Sequence, residues 1–185
     1  MRMLKAGWES RTGRGSSEFK GGYGLLRGYI STKVPETGDI AQAGFASLIS
    51  PENSRLGFVQ PYSFEGYNCL VMRFRGDGRT YRINFQYKSP FLEFHHDLHQ
   101  FLLYTRGGPH WQIAKIPLHK FYVSNKTRLV QRQYSFQHAQ ISKMIITLMD
   151  GNPGPFSLEI DYVAFYNDGQ LLNDSFNYEQ YKNIS

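Results

Sequence analysis

The chain has 185 residues, a formal charge of +6 and 41% hydrophobic residues, a size that suits one domain with a sizeable core. Its basic residues are scattered, which argues against a nucleic-acid-binding block, and no apolar run approaches the ~20 residues that a membrane-spanning helix needs. The one cysteine, Cys69, excludes an intrachain disulfide and is expected to pack as a small apolar residue. Residues 1–19 read as a flexible segment in which Arg2, Lys5, Arg11 and Arg14 outnumber Glu9, a weak presequence character. A glycine turn at 21–24 leads into a strand at 25–31, residues 35–39 break the pattern, and 44–50 is the next strand. A Pro-bounded loop (51–61) and a connector (62–68) precede two strands at 69–75 and 79–88. Strands at 101–105 and 111–116 flank the Gly107-Gly108-Pro109 turn, and 117–121 turns away. Residues 124–140 read as a long basic loop over a sheet edge, strands at 143–149 and 156–167 close the domain, and 168–185 is a polar tail.

Short strands at this spacing, parted by Gly, Pro and Asn turns and carrying 16% aromatic residues, predict an all-β, two-sheet antiparallel β-sandwich or a barrel over residues 20–167. Asp77-Gly78 reads as a two-residue hairpin turn. Counting outward pairs Phe74 with Tyr81, Met72 with Ile83 and Leu70 with Phe85 on one apolar face. Arg73 then opposes Arg82 on the other face, a like-charge conflict that demands an acidic neighbour or an anionic guest. Glu159 and Asp161 alternate with Leu158, Ile160 and Tyr162, so both carboxylates should leave the core. If the closing strand shares the sheet, one of them sits between the arginines. The candidate binding face is therefore Arg73, Arg82, Asn84, Gln86 and Glu159, with Trp111 as a stacking ring; a Trp on such a strand is more often core.

Other chemistry is poorly supported. The His95-His96-Asp97-x-His99 run has metal-ligating residue types, but there is no second ligand cluster, and His99 and Asp97 are expected to hydrogen-bond backbone instead. No nucleophile elbow and no phosphate-binding loop is present, and two carboxylates on one strand do not make a glycosidase pair. We expect neither catalysis nor a cofactor. The glycosylation patterns at Asn125, Asn173 and Asn183 are treated as accidental.

Taken in order, several segments carry a resemblance: Gly22-Tyr23, the Gly28 strand, Gly44-Phe45-Ala46-Ser47 and Gly66-Tyr67 leading into 70–74. They continue through 76–81 (Gly-Asp-Gly-Arg-Thr-Tyr), Asp97-Leu98-His99-Gln100, Trp111, Ile116-Pro117, Phe121 and 154–160. Over residues 20–167 the sequence resembles the complex I intermediate-associated protein 30 family. That resemblance implies a jelly roll similar to galactose-binding domains and a non-catalytic scaffold for assembly of mitochondrial NADH:ubiquinone oxidoreductase. It also implies a place in the mitochondrial matrix at the inner membrane, peripheral at most. The implied partners are assembly intermediates and other assembly factors, an acyl-CoA-dehydrogenase-like flavoprotein and ECSIT among them. Familiar animal members carry a longer amino-terminal extension, and the basic stretch at 125–140 is unusual, so Lys126, Arg128 and Arg132 are a candidate partner loop. The alternative expectation is a carbohydrate-binding module using the concave sheet face.

Overall fold

The computed structural model describes residues 2–3, 9–11, 15–20, 22–33, 43–51, 54–55, 58–87, 97–125 and 128–169. In chain order the strands are β1 (Arg2–Met3), β2 (Glu9–Arg11), β3 (Gly15–Lys20), β4 (Tyr23–Ile30), β5 (Ala46–Ile49), β6 (Ser54–Arg55), β7 (Phe58–Val59) and β8 (Cys69–Arg75). They continue with β9 (Thr80–Tyr87), β10 (Asp97–Tyr104), β11 (Gln112–Pro117), β12 (Tyr122–Asn125), β13 (Arg128–Leu129), β14 (Ile141–Leu148) and β15 (Gly154–Tyr166). A 3-10 turn, Leu118–Lys120, follows β11. No helix among the described residues is long and apolar enough to cross a membrane.

The fold is the expected two-sheet antiparallel sandwich. A six-stranded sheet runs β11-β8-β15-β4-β3 with β1 added on β15; a seven-stranded sheet runs β13-β12-β10-β9-β14-β5-β2. Strand pairing therefore begins at Arg2, inside the segment expected to be flexible. The core lies between the sheets. Leu26, Leu70, Met72, Phe74, Ile116, Leu158 and Phe165 from one meet Leu48, Tyr81, Ile83, Phe85, Leu103, Ile146 and Leu148 from the other. Phe165 and Phe85 touch across that interface with centroids 5.8 Å apart.

The period-two reading of 70–86 holds for orientation and fails for pairing. The side chains predicted to share an apolar face are all buried, yet β8 pairs with β11 and β15 while β9 pairs with β10 and β14. Phe74 and Tyr81, Met72 and Ile83, and Leu70 and Phe85 thus belong to opposite sheets, and Arg73 never opposes Arg82. The physical reason lies at the turn. A type I′ turn needs positive φ at both central residues, and only Gly78 has it, at +92°; Asp77 does not. Residues 76–79 form a crossover between sheets. The Gly107-Gly108 turn is a second one, carrying the chain from β10 to β11, and the β14–β15 connection is a third.

Candidate functional site

These three crossovers meet at Asp77-Gly78-Arg79. The Asp77 carboxylate accepts the Arg79 amide at 3.0 Å, the Tyr81 hydroxyl at 3.1 Å and the Ser157 amide at 2.7 Å. Arg79 grips the third crossover, donating to both Asp150 oxygens at 2.8 and 2.5 Å and to the carbonyls of Asn152, Gly154 and Pro155. The fork of the guanidinium matches a carboxylate bidentately, and its hydrogen bonds hold the Asp150 carboxyl below its ordinary 3.8. From the second crossover, Thr105 Oγ1 accepts the Gly78 amide at 2.9 Å and donates to the Arg79 carbonyl at 2.8 Å. This corner fixes how the sheets face one another. Its charged side chains, Asp77, Arg79 and Asp150, are all engaged in these contacts.

The predicted binding face is divided between the two outer surfaces of the sandwich. On the six-stranded sheet, Arg75 and Glu159 face each other across β8 and β15 and form an ion pair. One step along, a bulge at Asp161 re-aims that carboxylate onto Arg73 Nη1 at 2.5 Å. Trp111 lies on this surface as well. Tyr23 meets it edge-on at 5.7 Å, and the Arg73 and Arg75 guanidiniums stand 4.9 and 5.2 Å from its ring centroid. That corrects the expectation of a core Trp: Gln112, Ala114 and Ile116 take the inward parity on β11, which puts Trp111 outside. Lys115 completes the pattern, 3.7 Å from Asp168. Arg73, Arg75 and Lys115 thus each stand against an acid. Cys69 sits beside them, fully buried with Val71, Ile113, Tyr162 and Tyr166; burial pushes its thiol up to about 11, so it stays protonated and unreactive.

Arg82, Asn84 and Gln86 share the other surface, the outer face of the seven-stranded sheet. In register, Arg82 lies between Leu102 and Thr147, Asn84 between Gln100 and Ile145, and Gln86 between Leu98 and Lys143. Asn84 and Gln100 are only 5% and 3% exposed, although they point away from the core. Tyr122 adjoins Gln100 on β12 and feels the Arg82 charge. Among the described residues Arg82 has no carboxylate partner. The conflict read from the sequence thus dissolves unevenly: Arg73 finds an acid on its own sheet and Arg82 is left unmatched on the opposite one.

Of the candidate partner loop, Arg128 and Arg132 are exposed at the β13 edge, and Lys126 lies outside the described residues. The same end holds a recess of about 570 Å³ lined by His119, Lys120, Tyr122, Tyr134, Ser135 and His138 above a floor of Phe121 and Phe136. Of these, Phe121 alone was singled out in the sequence, for the family resemblance and not for a site; the stretch otherwise reads as turn and basic loop. Leu129, also missed, is 70% exposed.

His95 and His96 lie outside the described residues, and among those described no three His, Cys, Asp or Glu side chains are grouped to hold a metal. Asp97 accepts from the Asn125 amide at 2.8 Å and the Tyr134 hydroxyl at 3.3 Å. His99 is fully buried against Tyr87, Tyr134 and Phe136, and its Nε2–H donates to the Tyr134 carbonyl at 3.0 Å. Burial holds this imidazole below its ordinary 6.5, against the opposing hydrogen bond. A depressed histidine stabilises the fold while neutral, so its contribution is present above the unfolded-state value and is lost as pH falls below it. Urea unfolding of the wild type should show stability declining as pH drops through about 6.5 toward 5, and His99→Phe should flatten that segment. A wild-type curve that is level there, or one that the substitution leaves unchanged, counts against the assignment.

A model of the family described as Complex I intermediate-associated protein 30 matches residues 10–160. The chain is 39% identical over 165 residues to the Drosophila melanogaster protein "Complex I intermediate-associated protein 30, mitochondrial", covering 87% of this chain and 55% of that one. It is 36% identical over 146 residues to the Mus musculus protein of the same name, covering 78% and 44%. The chain thus spans about half the length of the curated relatives it matches. Among solved structures it is similar to the family 11 carbohydrate-binding module from Clostridium thermocellum, with a TM-score of 0.57, 13% identity and coverage of 89% and 94%. A family 30 carbohydrate-binding module gives 0.54, 15% identity and coverage of 96% and 84%. At such identities the likeness extends to the fold alone.

Proposed function

The chain belongs to the complex I intermediate-associated protein 30 family, and from that membership we propose a non-catalytic assembly factor that docks assembly intermediates of mitochondrial respiratory complex I. It works in the matrix at the inner membrane, with the acyl-CoA-dehydrogenase-like flavoprotein and ECSIT among its partners. The observation that carries the reading is the asymmetry of the two outer faces. On the six-stranded sheet Arg73, Arg75 and Lys115 are each paired with an acid. Among the described residues the seven-stranded sheet carries Arg82 without an acid, half-buried between Leu102 and Thr147, and such a face suits a partner that supplies the missing carboxylate.

Mitochondria lacking the protein should accumulate stalled intermediates on native gels, and restoring the wild type should clear them. Arg82→Glu should fold with an unchanged thermal midpoint, since among the described residues it has no acidic partner to lose, yet co-fractionate with intermediates about tenfold less, because a reversed charge repels the carboxylate it should meet. Intact complex I in the absence of the protein would sink the assembly role. Full rescue by Arg82→Glu would move the docking face elsewhere.

Tyr122, half-buried beside Gln100 and within the field of Arg82 on this outer face, favours a second reading in which the face stacks a sugar. Binding on a glycan array that Tyr122→Ala abolishes would select it.

A further inference from the structure

We propose that the β13 edge and the adjoining recess form a docking surface for an anionic lipid bilayer. It names the contact behind the inner-membrane association proposed above and in that respect rests on it. Four observations converge. β13 is the outermost strand of the seven-stranded sheet, and its Leu129 is 70% exposed. The strand cannot fold back to hide it, because the Gln133 side chain clamps the segment: Nε2 donates to the Val123 carbonyl at 3.0 Å and to the Val130 carbonyl at 2.5 Å, and Oε1 accepts the Val123 amide at 2.7 Å.

Lys120, Arg128 and Arg132 are all exposed at this end, and among the described residues none has an acidic partner. The two residues of the strand, Arg128 and Leu129, are both exposed, so the edge offers charge and hydrocarbon as neighbours in the chain. The recess, joined to this segment through Gln133, carries the imidazoles of His119 and His138 and the Lys120 amine, with phenols at Tyr122 and Tyr134. Asp97, which reaches the recess through the Tyr134 hydroxyl, is also held by the Asn125 amide.

An exposed apolar side chain next in chain to an exposed cation at a sheet edge, with further exposed cations and tyrosines on the adjoining segments, is the pattern of an interfacial contact with headgroups. An acidic polypeptide is the competing occupant and fits less well. A strand of two residues offers little backbone edge for strand addition, and exposed cations with no acidic partner among the described residues suit a diffuse negative surface better than a defined set of carboxylates.

The test is sedimentation of the purified chain with two kinds of vesicle: pure phosphatidylcholine, and phosphatidylcholine with one quarter phosphatidylglycerol. The chain should bind the second only, and less tightly as salt is raised. Arg128→Glu should weaken partitioning at least about fivefold, the equivalent of ~1 kcal/mol per cation at a charged surface. Leu129→Ser should weaken it about tenfold, in line with loss of a buried leucine, while leaving the salt dependence intact. Lys33→Glu, an exposed reversal of equal charge after β4 of the other sheet, should change it less than twofold. Circular dichroism confirms that each variant is folded. Failure to bind phosphatidylglycerol vesicles overturns the proposal. So does an equal loss with Lys33→Glu, which would reduce the effect to net charge, or capture by polyglutamate through Arg128 without vesicle binding. Because only chain and lipid are present, a negative result leaves the assembly role standing, and a failed native-gel experiment leaves this result standing.

Discussion

Gly76→Ala will destabilise the protein by ~3 kcal/mol or more in urea unfolding, although the substitution adds one methyl group. A Cβ at this position would lie 2.3 Å from Thr105 Cβ, 2.4 Å from its Cγ2 and 2.6 Å from its Oγ1. No flexible side-chain end is available to move, since the first contact is the branching carbon itself. Thr105 must shift, and it is held by both neighbours: its hydroxyl accepts the Gly78 amide and donates to the Arg79 carbonyl. Overpacking alone costs ~1–3 kcal/mol, and two strained hydrogen bonds add ~1 kcal/mol each. The mechanism makes a further, sharper demand. Thr105→Gly removes the colliding atoms, so the double variant should be less destabilised than the sum of the two single ones, with coupling above ~1 kcal/mol. Strict additivity, or a Gly76→Ala protein as stable as wild type, would mean that the two crossovers do not press together there.

That contact explains how far the sequence could be read. Orientation was legible, because alternation is a property of one strand. Leu70, Met72 and Phe74, then Tyr81, Ile83 and Phe85, announce their inward faces without reference to any neighbour. Pairing was not. Asp77-Gly78 looks like a hairpin turn because glycine supplies positive φ, but whether the next strand folds back or crosses the sandwich is settled by groups remote in sequence. Thr105 takes the Gly78 amide, the Ser157 amide binds Asp77, and Asp150 takes Arg79. A signal for the true neighbour of β8 was nevertheless present. Arg73 and Arg75 are spaced by two, as are Glu159 and Asp161, and antiparallel strands bring such spacings into register as two ion pairs. Trp111 stands just ahead of β11, where its parity depends on which of the following residues turn inward. The recess was invisible because it is assembled from the 3-10 turn and the 131–140 segment, neither of which has a period to read.

Arg79→Ala should lose ~3 kcal/mol, at the lower end of what breaking a buried pair costs. Arg79 and Asp150 keep 13% and 14% of their side chains exposed, so water softens the loss without removing it. The substitution strands the Asp150 carboxylate and three carbonyls that share one guanidinium. Lysine cannot replace it, because a single ammonium does not span a bidentate carboxylate and the Asn152, Gly154 and Pro155 oxygens together; Arg79→Lys should recover less than half the loss. The pH dependence separates this mechanism from simple truncation. Arg79 lowers the Asp150 carboxyl below its ordinary 3.8, so the pair stabilises the fold above that value and the stabilisation fades as pH falls through the depressed one. The gap between wild type and Arg79→Ala, read from urea midpoints, should therefore be widest near neutrality and narrow in acid below about pH 4. A gap that stays constant into acid would assign the loss to packing of the arginine stem, leaving Asp77 and Thr105 to hold the three crossovers together.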